Sequence, residues 1–203
     1  MEKKNHTDAV PENHQGDSLD IESVKDFASI DDAVALFDKG KQRLLNVNEW
    51  QHVAGEALAH FTLTDPSGAP VGGQAQEGLL IKIDIPGPGT EEADGFDWVV
   101  IERIESEKNG HIESVAVRVR PTAAPGSETN ETAHFYSQQS TSTFTISRDH
   151  LKVTAGVYDR NLEANQDSTK LWDKVRNAII GFAGKKGVSA GQWKAFTNGL
   201  LEA

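Results

Sequence analysis

The stretch DWVVIERIESEKNGHIESVAVRVR, residues 97–120, decides the fold. Two runs rich in β-branched residues flank Asn109-Gly110, the strongest short-range hairpin signal. With those two residues as the loop, Val100 faces Val119, Glu102 faces Val117 and Ile104 faces Val115. Trp98 joins them, so one face is apolar except for Glu102. The other face sets Ile101 beside Arg118, Arg103 beside Ala116 and Glu105 beside Ser114.

The pattern extends both ways. Residues 132–147, rich in Thr, Ser, Phe and Tyr, lead across Asp149-His150 into 150–158. That loop pairs Phe144 with Ala155, Ile146 with Val153 and Arg148 with Leu151 on an apolar face. Thr145–Thr154 and Ser147–Lys152 fall on a polar one. Upstream, 56–64 and 78–85 alternate around Phe61, Leu63, Leu79, Ile81 and Ile83, separated by the turn Asp65-Pro66-Ser67-Gly68. About seven strands fit within 56–158, with no helix between them. Parallel βαβ units need such crossovers and are excluded. The reading is an antiparallel, curved meander, open or closed into a partial barrel.

Helical periodicity brackets the sheet. Residues 29–54 open on Ser29, a cap with Asp32 three residues on, and carry Ala33, Val34, Phe37 and Leu44; Gly40 interrupts the pattern. Residues 168–201 hold two stripes, one with Trp172 and Phe182, the other with Trp193, Phe196 and Leu200. Packed on the apolar sheet face, they give an α+β domain over 19–203. Residues 1–18 are polar and acidic and read as a disordered tail.

Composition narrows the function. The 203 residues carry a net charge of −11, which speaks against nucleic acid and anionic lipid. Residues 1–32 hold nine acids against three bases, and 170–203 hold six bases against two acids. With no cysteine, disulfides and thiolate metal sites are out. No apolar run reaches membrane-helix length and no signal-peptide core is visible, so the cytoplasm is the expected location. Walker, GxGxxG, GxSxG and HExxH patterns are absent. The alternating oxygens of Asp159–Asp167 resemble a calcium loop, but Ala164 and Lys170 stand where Gly and Glu are required. No metal and no cofactor are expected.

Two candidate sites remain. Glu102, among Trp98, Val100, Ile104, Val115 and Val117, is a buried carboxylate suited to acid–base work, unless a bulge turns it outward or a Lys or Arg pairs with it. The polar face gathers Arg118, Arg120, His134, Tyr136 and Arg160, donors that suit a small polar or anionic ligand. A wet polar face is the common state of such sheets, and the Arg and Tyr content keeps a binding face in play. The preferred reading is a non-enzymatic small-ligand-binding domain using the polar face or mouth of the sheet. The alternatives are an acid–base enzyme using Glu102 with His134 or Tyr136, and an adaptor whose acidic tail folds on a basic protein partner.

Overall fold

A computed structural model describes residues 6–55, 59–84, 96–127, 132, 136–163 and 187–202. Seven antiparallel strands form one sheet: β1 (Asp17–Asp26), β2 (His60–Thr64), β3 (Leu80–Asp84), β4 (Asp97–Asn109), β5 (Ile112–Pro121), β6 (Thr141–Asp149) and β7 (Lys152–Leu162). Their order is β1-β7-β6-β5-β4-β3-β2. Strands β2 to β7 form the expected meander with six strands rather than seven. The seventh strand is β1, which precedes the first helix and pairs with β7. Among the described residues, β1 and β2 end the strand order without pairing with each other.

The β1 strand corrects the expectation of a tail followed directly by a helix. Leu19, Ile21 and Ser23 alternate with Asp20, Glu22 and Val24. Glu22 and Asp20 become partners of Tyr158 and Arg160, so the acidity is used by the fold. Residues 6–16, expected to be solvated, lie against the sheet, with Thr7 and Ala9 buried.

Among the described residues, three helices cover one sheet face: α1 (Ile30–Leu45), α2 (Trp50–Ala54) and α3 (Gly187–Leu200). Ser29 caps α1 as expected, its Oγ accepting from the Asp32 amide at 3.4 Å. Gly40 sits inside α1, not at a break. A Cβ there would strike the Ile146 side chain and the Leu200 carbonyl, so glycine allows helix and sheet to touch. A 3-10 turn at Val47–Glu49 leads into α2, which ends at Gly55. Trp50 is fully buried, packed on Phe61, Phe144 and Phe196, and its Nε1 donates to the Leu44 carbonyl at 3.0 Å. From α3, Lys194 donates to the Glu22 carbonyl, while Thr197 and Asn198 meet Ser23, which ties the last helix to β1. The expected helix around Trp172 and the acidic loop at 86–95 lie outside the described residues.

Both hairpins close one residue further along than the sequence pattern places them, which shifts each pairing partner by two. Asn109 pairs with Ile112, so the loop is Gly110-His111. Asp149 pairs with Lys152, so the loop is His150-Leu151. The first loop residue has positive φ in each, Gly110 at 60° and His150 at 53°. A shift of two keeps every side chain on its face. Phe144, Ile146, Val153, Ala155, Val115 and Val117 therefore face the core as expected.

The exception is a bulge. The β4–β5 register slips between Ile101 and Arg103, so Glu102 is the extra residue. Beyond it the faces exchange. Val99 and Ile101 turn to the core with Ile104, while Trp98 and Val100 join Leu80, Phe96 and Ala124 in a small cluster on the outer face.

Candidate functional site

The bulge corrects the expected surroundings of Glu102. It turns the carboxylate outward, where both Arg118 and Arg120 bind it. Arg120 is bidentate, with Nε at 2.6 Å and Nη2 at 3.3 Å; Arg118 closes the other side. Burial alone would raise the Glu102 pKa, but the two guanidiniums outweigh it and hold the group below the usual carboxylate range. A carboxylate held ionised in this way is not a general acid.

Of the five residues expected to bind ligand, the four that are described do not converge. Arg118 and Arg120 meet at Glu102, and Arg120 also donates to the Gln138 carbonyl at 2.7 Å. Arg160 shares the outer face but lies on β7, where Nη1 contacts Asp20 at 2.5 Å. Tyr136 belongs to the helix-facing side at the end of the sheet. His134 lies outside the described residues. The outer face is also not open: Thr143, Thr145 and Tyr158 are buried on it. The Tyr158 ring covers Gly156, and its hydroxyl donates to Glu22 at 2.7 Å.

A different constellation sits at the sheet mouth, where β4, β5 and β7 meet the start of β6. Val99, Val119, Pro121, Tyr136, Ser140, Thr141, Ser142 and Leu162 line a recess of about 20 Å³, room for one water-sized group. Beside it stands Asp159, 5% exposed. Its position follows from the pattern of β7, since Val153, Ala155, Val157 and Asp159 alternate onto the core face. Burial dominates and pushes its pKa up to about 6, against the hydrogen bonds of Ser142 and Trp193 and the attraction of the Arg160 charge. Among the described residues, its Oδ1 has no hydrogen-bond partner, and neither does Oγ1 of Thr141. The Tyr136 phenol is raised by burial and by the nearby charges of Asp159 and Asp17. Asp97, two residues from Val99 on the same face of β4, is pushed up to about 7 by burial.

The recess therefore offers a phenol and hydroxyls against apolar walls, and the buried Asp159 carboxyl adjoins it through Ser142. Unpaired buried polar atoms are rare and mark places where a further partner is accommodated. Sequence reasoning took Asp159 only as the start of a failed calcium-loop pattern, although its alternation with Val153, Ala155 and Val157 was readable. Among the described residues, no group of three or more His, Asp or Glu is arranged to hold a metal ion, and no helix is long and apolar enough to cross a membrane.

The fold defines an α+β protein with helices on one face of a curved antiparallel sheet. It is similar to the crystal structure of hypothetical protein jhp0584 from Helicobacter pylori, at 12% identity and a TM-score of 0.51, over 99% of this chain and 95% of that one. Weaker likenesses extend to major latex-like protein 151 from Panax ginseng, at 11% identity and TM-score 0.36, over 82% of this chain and 98% of that one, and to Ara h 8.0201, at 12% identity and TM-score 0.35, over 91% and 99%. The likenesses concern the fold alone. No family model and no curated protein matches the chain.

Proposed function

We propose that the protein is a non-enzymatic binding domain that takes a small polar ligand at the sheet mouth. The observation that carries this reading is the buried Asp159 carboxyl with an unpartnered Oδ1 beside the recess. The recess admits one donor group, a hydroxyl or an amine, which donates to Asp159 while Val99, Val119 and Leu162 contact the adjoining carbon atoms. A buried acid repels anions, so the ligand class moves from anionic toward neutral or cationic donors. The five-residue anion site expected on the polar face is not the better candidate, because its described arginines already hold Glu102 and Asp20.

The test is a thermal-shift screen of aliphatic alcohols, amines and carboxylates against the native chain and Asp159→Asn. A ligand at about 100 times its Kd adds about 2.7 kcal/mol to stability. Stabilisation by alcohols or amines that disappears in Asp159→Asn supports the reading. Stabilisation by carboxylates only, or hits indifferent to Asp159, contradicts it.

A further inference from the structure

The outer face carries a second arrangement, independent of the recess. Residues 6–16 cross four strands as a strap. The Asp8 amide donates to Glu105 on β4 at 2.8 Å. The Ala9 carbonyl accepts from Arg118 Nη1 on β5 at 3.0 Å and from Thr143 Oγ1 on β6 at 3.5 Å. Asn161 on β7 holds the far end: its Oδ1 accepts from the His14 and Gln15 amides, and its own amide donates to Asn13. Gly16, at φ 61°, forms the bend into β1, where a Cβ would collide with Leu162.

Two features set this strap apart from the core. Its hold is almost wholly polar, since only Thr7 and Ala9 are buried and residues 12–16 are exposed. Its charge complements what it covers. Residues 6–16 contain Asp8 and Glu12 and no Lys or Arg, while the cluster beneath places two guanidiniums on one carboxylate. One positive charge is left over there. The Ala9 carbonyl oxygen sits where a guanidinium and a hydroxyl converge, which is the place an oxyanion would take.

We infer that Arg118 and Thr143, with Arg120 beside them, form a latent oxyanion site that the strap occupies as a tethered competitor. The ligand oxygen replaces the Ala9 carbonyl, and its charge balances the surplus guanidinium. A tether keeps its segment at high effective concentration, and a site that is rarely vacant shows an affinity reduced by the vacant fraction. The intact chain therefore binds weakly, and release of the strap, by a partner or by proteolysis at its exposed residues, reveals the site.

The experiment measures inorganic phosphate binding by NMR titration to the full chain, to a chain lacking residues 1–15, and to full-length Ala9→Trp, which denies Ala9 its buried seat. Both strap-released forms should bind phosphate at least about tenfold more tightly than the full chain. Arg118→Gln in the shortened chain should cancel the gain, and an added peptide of residues 1–16 should compete. Acetate run in parallel separates a phosphate-selective site from a general carboxylate and phosphate site, and either supports the inference. Equal binding by full and released chains overturns it. So does a gain that survives Arg118→Gln, or loss of cooperative folding in both released forms, which would make the strap part of the fold's framework.

Discussion

Glu102 and Asp159 are carboxylates withdrawn from water on opposite faces of one sheet, and they behave in opposite ways. Glu102 lies on a bulge between two arginines, which keep it ionised despite its burial. Asp159 lies in regular β7, where burial outweighs two neutral hydrogen-bond donors and the attraction of Arg160, and its pKa rises to about 6. Burial is common to both; the strength of the partner decides the outcome. Glu102 is satisfied by arginines from within the chain, whereas the helix-facing mouth keeps an acid governed by burial. That contrast places the candidate ligand site at the mouth.

Breaking the contrast from the Glu102 side should have the largest effect. Glu102→Leu leaves two guanidiniums side by side without their anion and should cost about 3 kcal/mol at pH 7. Because the folded-state pKa is depressed, the stabilisation is present above the ordinary glutamate pKa and fades as pH falls through the lower folded value. The cost measured by urea denaturation should therefore shrink in acid.

Asp159→Asn should move stability the other way, by up to about 3 kcal/mol in favour of the variant at pH 7. The folded-state pKa is raised, so the native chain is favoured in acid, where Asp159 is protonated in both states. That advantage is lost as pH rises from 3.8 to about 6. Urea midpoints of the two proteins should coincide below pH 4 and separate between these values. Coincident midpoints at pH 7 would remove the burial-governed acid from the account.

Thr141→Val should have the smallest effect. Its Oγ1 has no partner to lose, so stability should change by less than about 0.5 kcal/mol. In the thermal-shift screen the same variant should leave binding unchanged, because Thr141 pairs with Arg160 on the outer face whereas Ser142 pairs with Asp159 on the helix-facing one.

Much of this was legible in the sequence. Alternation gave the strands β2 to β7 and their inward sets, and Ser29 marked the start of α1. Hairpin register was off by two because Asn-Gly was assigned both loop positions, whereas the chain places the positive-φ residue first, at Gly110 and at His150. Faces survived that error because strand periodicity is two. They did not survive the bulge. An extra residue leaves no mark in an alternating pattern when the residues on both sides of it, Val100 to Ile104, include apolar side chains on either face. Trp98 and Val100 were accordingly assigned to the core, which they do not face. The β1 strand was hidden by its acids, whose partners, Tyr158 and Arg160, lie far away in sequence. The same nonlocality hid the site: the mouth is assembled from β4, β5, β6, β7 and the turn carrying Tyr136, and only Tyr136 had been singled out for binding.

The central claim is that burial governs Asp159, whereas two arginines govern Glu102. A pH titration of side-chain carboxyl carbons by NMR reads both groups in one sample. The account predicts an Asp159 midpoint near 6 and a Glu102 midpoint below the ordinary glutamate value. An Asp159 midpoint near 4, the ordinary value for aspartate, would contradict it.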